Sequence, residues 1–258
     1  KEVKIDPVII IPGILGSEEK NGELILQPRL RVYDGLKQTL LANGYIEGRT
    51  EFDFPYNWRQ SNVVTAQQLR DRISEIKTVC GCGKVDVIAH SMGGLVARQY
   101  IQSGLYQGDI DQLIFLGTPH LGAPKVYFAW EGGTADVRPS IEDLLLNALL
   151  RQEAIEAGFG SLSNPRQILF SYIHNPSSPL LSFQELLPIY SYLKNFDTDV
   201  LREYPNGHPQ NAFLENLDIA SFLSIAGQGG ISITNIFSDN QNDTVNFIKV
   251  QNDSSTLP

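Results

Sequence analysis

The chain has 258 residues, 42% of them hydrophobic, enough to enclose a sizeable core. Its formal net charge is −9 and no run or stripe of Lys and Arg offsets it, which argues against a nucleic-acid partner. No stretch reaches the roughly 20 apolar residues that a membrane-spanning helix needs, and the first residues lack the charged-then-apolar pattern of a signal segment.

Taken in chain order, Val8-Ile9-Ile10-Ile11 is a β-branched run closed by Pro12-Gly13. It reads as a strand buried on both faces that feeds a glycine-containing loop. Tyr33, Leu36 and Leu40 fall at helical spacing, with Asn43-Gly44 as a left-handed stop. Phe52, Phe54 and Tyr56 alternate as a strand does. Ala66, Leu69, Ile73 and Ile76 predict an amphipathic helix. Cys80 and Cys82, one glycine apart, read as loop thiols, with a bridge as the alternative; two cysteines are too few for a closed zinc site.

Val85-Asp86-Val87-Ile88-Ala89 is a strand that runs straight into Ser91. A helix follows from Leu95 to Ile101, then a strand at Leu113-Ile114-Phe115-Leu116 ending at Gly117-Thr118-Pro119. Strand alternating with helix predicts an α/β fold with a mainly parallel, doubly wound sheet. From Lys125 to about Asn211 the pattern changes to helix-forming segments broken by proline and serine. This reads as a helical cap at residues 125–212, inserted into a core of residues 1–124 and 213–258. Within the cap, Ile141, Leu144, Leu145, Ala148 and Leu149 form an apolar stripe behind a capping box of Ser140 and Asp143. Strand character returns at Phe222-Leu223-Ser224-Ile225-Ala226. The Asn, Gln, Ser and Pro content of the second half suits an extracellular or periplasmic protein.

A serine hydroxyl is a poor nucleophile at neutral pH, so an enzyme that uses one must expose it, deprotonate it and stabilise the oxyanion. Ala89-His90-Ser91-Met92-Gly93 has the spacing of a nucleophile elbow, with small residues two before and two after Ser91, a strand leading in and a helix leading out. The N–H after the nucleophile, that of Met92, is one expected oxyanion donor. The loop Pro12-Gly13-Ile14-Leu15-Gly16-Ser17 offers the N–H of Ile14 as the other, although a plain glycine turn would look the same. No Gly-Lys-Ser/Thr follows, so it is not a phosphate loop.

These segments resemble lipases of the α/β-hydrolase superfamily, in particular the lecithin:cholesterol acyltransferase and lysosomal phospholipase group. The likeness is carried by residues 11–17, by Phe54-Pro55-Tyr56-Asn57-Trp58-Arg59, by Ala89 to Arg98, and by Gly117-Thr118-Pro119-His120-Leu121-Gly122-Ala123-Pro124. Glu185-Leu186-Leu187-Pro188 adds a weaker fifth segment. Asn57 and Ala89 depart from the family's usual Asp and Gly. The resemblance implies hydrolysis or transfer of ester-linked acyl groups on lipids, with no metal or organic cofactor. In the cap, Val126 to Trp130 and Leu144-Leu145-Leu146 read as contacts for an acyl chain or for a membrane or lipoprotein surface, with core packing as the alternative.

In this fold the acid and the histidine follow the serine on later loops. The four histidines are His90, His120, His174 and His208. The first three read as packing or loop residues, the last as a surface turn, and none follows the last recognisable strand. Asp243 in Gln241-Asn242-Asp243-Thr244-Val245 resembles the family's acid loop without its second glycine, and Asp239 is a rival. The expectation is that the chain, which starts at Lys1 without Met, is a piece lacking the last strand, with its base beyond Pro258. Two other readings stay open: a hydrolase-fold binding protein without a triad, and a serine peptidase or amidase.

Overall fold

The computed structural model describes residues 5–134, 141–162, 164–177, 179–238 and 245–251. The chain divides into two compact units. The first holds Lys1–His120 and Leu217–Asp239, and the second Leu121–Asn216 and Asn240–Pro258.

The first unit opens with β1 (Val8–Ile11), every residue of which is buried, as its unbroken β-branched run requires of a strand covered on both faces. A hairpin follows, β2 (Ser17–Lys20) and β3 (Glu23–Leu26), turned at Asn21-Gly22 with both residues at positive φ. Helix α1 (Asp34–Ala42) ends where predicted, with Gly44 left-handed. β4 (Glu51–Asp53) and α2 (Asn62–Cys80) come next. The α2 start is capped by the Ser61 hydroxyl, which accepts the Val63 N–H, and Ala66, Leu69, Ile73 and Ile76 form its buried stripe. β5 (Val85–His90), α3 (Met92–Gln102) and β6 (Ile110–Leu116) complete the alternation.

The second unit contributes α4 (Val126–Trp130), α5 (Ile141–Glu156), a 3-10 turn (Phe159–Ser161), α6 (Pro165–Ile173), α7 (Leu181–Gln184), β7 (Leu193–Asn195) and α8 (Ala212–Asn216). The stripe predicted on α5 is only partly inward. Leu144 and Leu145 are 49% and 47% exposed, whereas Leu150 and Ala154 are fully buried apolar residues of this helix. Ser140, the predicted cap, lies outside the described residues.

The chain then returns to the first unit through α9 (Ile219–Gln228) and β8 (Ser232–Ile236). The strand predicted at Phe222 to Ala226 is therefore helical. A short apolar run does not by itself distinguish a strand from a helix, and the Asp218 carboxylate, accepting the Ser221 N–H at 2.6 Å, starts a helix here. The last element, β9 (Ile248–Val250), pairs in parallel with β7 within the second unit.

The sheet of the first unit runs β4-β1-β5-β6-β8, all parallel, with β5 in the middle. This is the parallel sheet of an α/β fold that the alternation of strand and helix predicts. The cysteines differ from expectation: Cys80 and Cys82 are joined by a disulfide. Gly81 closes α2 in the left-handed region, which folds the chain back and brings the two Cα atoms to 5.2 Å, within bridging range.

Candidate active site

Ser91 sits between the end of β5 and the start of α3 at φ 52°, ψ −124°, a conformation that costs a non-glycine residue about 1–3 kcal/mol. Two backbone bonds hold it there. The Ser91 N–H donates to the Leu116 carbonyl at 2.9 Å, tying the turn to the end of β6, and the Gly94 N–H donates to the Ser91 carbonyl at 3.0 Å. The glycines after it are demanded by space. A Cβ on Gly93 would stand 2.6 Å from the carbonyl oxygens of Ile11 and Pro12, and one on Gly94 would stand 2.0 Å from Thr118 Oγ1. Ala89, in place of the usual glycine, is accommodated fully buried within β5.

The loop after β1 lies against this turn. A Cβ on Gly13 would be 2.8 Å from Ser91 Cβ and 3.2 Å from its Oγ, so only glycine permits the approach. The Pro12–Gly13 peptide is held on both edges: the Tyr56 hydroxyl donates to the Pro12 carbonyl at 2.8 Å, and the Gly13 N–H donates to the Tyr33 hydroxyl at 2.9 Å. The Gly16 N–H closes the turn onto the Gly13 carbonyl at 3.0 Å, and the Tyr56 N–H donates to Ser17 Oγ. The structure thus brings Ser91, Met92 and the Gly13-Ile14 turn into one place. Met92, first residue of α3, carries one of the N–H groups that a helix leaves without an internal acceptor.

The histidines are engaged elsewhere. His90 Nδ1 lies 2.9 Å from the Tyr33 hydroxyl, and burial lowers its pKa. His120 packs edge-on against Phe115 and beside Arg98; burial first, then the guanidinium charge, pushes it down to about 4. His174 lies against the rings of Trp130 and Phe170. His208, expected on the surface, is only 7% exposed, its ring packed on Tyr192 and Tyr204. Asp243 and Asp239 lie outside the described residues.

Tyr33 and Tyr56 went unrecognised as loop anchors in the sequence, where a tyrosine at helical or strand spacing reads as core. The 21–22 turn did carry a signal: Asn-Gly is a strong short-range mark of a hairpin, and this one follows directly on the loop that faces Ser91.

The model of the lecithin:cholesterol acyltransferase family matches residues 18–199, well over half of the chain. The chain belongs to the lecithin:cholesterol acyltransferase family. Among curated relatives, Lecithin-cholesterol acyltransferase-like 4 of Arabidopsis thaliana is 34% identical over 89 residues, covering 33% of this chain and 17% of that protein. Phospholipase A(1) LCAT3 of the same plant is 32% identical over 91 residues, covering 34% of this chain and 20% of that protein. The matched segments thus span a fifth or less of those relatives. Among solved structures, the mature lipase BlEst2 of Bacillus licheniformis is similar at 15% identity and a TM-score of 0.44, covering 92% of this chain and 84% of that one. A carboxylesterase structure from Nitrososphaera gargenis is similar at 13% identity and a TM-score of 0.36, covering 92% and 83%. Both are too distant to bear on any residue's role.

Proposed function

We propose that this chain carries the nucleophile, and the oxyanion donors, of a lipase or acyltransferase that moves ester-linked acyl groups of lipids through an acyl-enzyme. The observation that carries the reading is Ser91 itself, held at positive φ between a central parallel strand and a helix with the Gly13 loop against its side chain. In the proposed reaction Ser91 Oγ attacks the acyl carbonyl while a base takes its proton. The N–H groups of Ile14 and Met92 receive the developing oxyanion, the lipid alcohol leaves with a proton, and the acyl-serine passes its acyl group to water or to an acceptor alcohol.

The base is assigned to a histidine outside these 258 residues, because each of the four inside is engaged in packing or in other hydrogen bonds. The acid is Asp243 or a carboxylate also outside them. Family membership and the phospholipase and acyltransferase names of the relatives support a lipid substrate. The exposed Leu144 and Leu145 on α5 support contact with a lipid surface.

The test is a fluorophosphonate probe on the full-length protein. One label per chain is expected, lost in Ser91→Ala; an unlabelled wild type would reject the reading in favour of a non-catalytic binding protein. Faster turnover of a long-chain ester than of the matching amide separates a lipase from a peptidase or amidase.

A further inference from the structure

The Tyr33 hydroxyl stands between the loop and the elbow. It accepts the Gly13 N–H at 2.9 Å, lies 2.9 Å from His90 Nδ1, and its ring meets the imidazole edge to face at 5.7 Å between centroids. A phenol carries a single proton and can accept as well as donate. Since the Gly13 N–H is a donor, the Tyr33 proton is available to a second partner, and Nδ1 is placed to take it. Burial keeps both groups neutral: it pushes Tyr33 up to about 12 and lowers His90.

We propose that Tyr33 is a positioning residue that locks the oxyanion loop to the nucleophile elbow, accepting from Gly13 N–H and donating to His90 Nδ1, and so holds His90 as the Nε2–H tautomer. The effect on the oxyanion donor follows from peptide planarity. Tyr33 and Tyr56 fix the two edges of the Pro12–Gly13 peptide, and the Gly16 N–H fixes the carbonyl edge of the next peptide. The Ile14 N–H is the opposite edge of that second peptide, so its direction is set by these three bonds before any substrate arrives. His90 precedes Ser91 directly, so the same hydroxyl registers the loop against the nucleophile. This role rests on the reading of Ser91 as nucleophile.

The experiment uses the full-length protein with ¹⁵N-labelled histidine, as wild type, Tyr33→Phe and Tyr56→Phe. In the wild type the His90 nitrogens should show an unprotonated Nδ1 and a protonated Nε2. In Tyr33→Phe the Nδ1 shift should move toward that of a free acceptor, Gly13 amide exchange should quicken at least tenfold, and fluorophosphonate labelling of Ser91 should slow about tenfold. Tyr56→Phe removes a buried hydroxyl from the same loop and should leave the His90 shifts unchanged, which separates the relay from simple loosening. A wild-type His90 protonated on Nδ1 would overturn the proposal even if the variant failed to fold, as would equal labelling of Tyr33→Phe and wild type. No labelling of the wild type would overturn the nucleophile reading, and this role with it.

Discussion

Arg98, fully buried in α3, donates to the His120 carbonyl at 3.0 Å and also to the Leu217 carbonyl. His120 is the last residue before the chain leaves the first unit, and Leu217 is the first after it returns. One guanidinium therefore gathers both ends of an excursion of nearly a hundred residues. Burial lowers its pKa to about 10, which still leaves it charged at neutral pH.

Arg98→Met keeps the volume and removes the donors, leaving two carbonyls without them. A loss of about 3 kcal/mol in unfolding free energy is expected from urea denaturation. A loss under about 1 kcal/mol would show that the two chain ends are held by other contacts.

Gly13→Ala places a methyl 2.8 Å from Ser91 Cβ, so either the loop or the elbow must shift. Displacements on the scale of 1 Å at a reacting centre cost about a hundredfold in rate. Fluorophosphonate labelling of Gly13→Ala should fall by about that factor while the circular dichroism spectrum is retained. Labelling at the wild-type rate would place the attack geometry elsewhere.

Stability should fall as pH rises toward neutrality. Glu51, in β4, is buried next to Asp53 with Lys37 Nζ 3.6 Å away. Burial foremost, then the Asp53 charge, raises its carboxyl from 4.5 to about 7 against the pull of Lys37. The folded state thus holds this proton more tightly than the unfolded chain. The stabilisation is complete below about pH 4.5, drains away between there and about 7, and is absent above. Asp86, raised to about 6 mainly by burial, adds a slope of the same sign. Glu51→Gln should match wild type near pH 5 and exceed it at pH 8 in urea midpoint; parallel curves for the two proteins would exclude Glu51 as the source.

Leu144 and Leu145 are available to solvent, so Leu144→Glu/Leu145→Glu should leave stability within about 1 kcal/mol of wild type. On zwitterionic phosphatidylcholine vesicles the same variant should bind several-fold more weakly in a flotation assay. Equal flotation would remove α5 from the proposed lipid contact.

Much of the first unit was legible because its patterns are local. Four apolar β-branched residues in a row at 8–11, a clean 3.6 period in α2, and a serine between a strand and a helix each declare themselves within a short window. What escaped depends on contacts that the apolar pattern alone does not record. Phe222 to Ala226 looks the same as strand or helix until the Asp218 cap decides it. The outward turn of Leu144 and Leu145 depends on which side of α5 meets its neighbours, and His208 is buried against Tyr192 and Tyr204. At the candidate site Ser91 was readable, whereas Tyr33 acts across 20 residues to Gly13 and 57 to His90, a relation that no period in the sequence records.

The parallel order of the sheet bears on when the site can exist. The surroundings of Ser91 come from the ends of β1, β5 and β6, and no two of these strands pair through a hairpin; every one of their contacts spans a long stretch of chain. Such pairings form late, after the loop-closure entropy has been met. A nascent or half-folded chain that already contains Ser91 lacks the Leu116 carbonyl that anchors its backbone, and so holds an ordinary serine. Fluorophosphonate labelling at this residue should in that sense report completed folding, absent while the sheet is unpaired and present once it has formed.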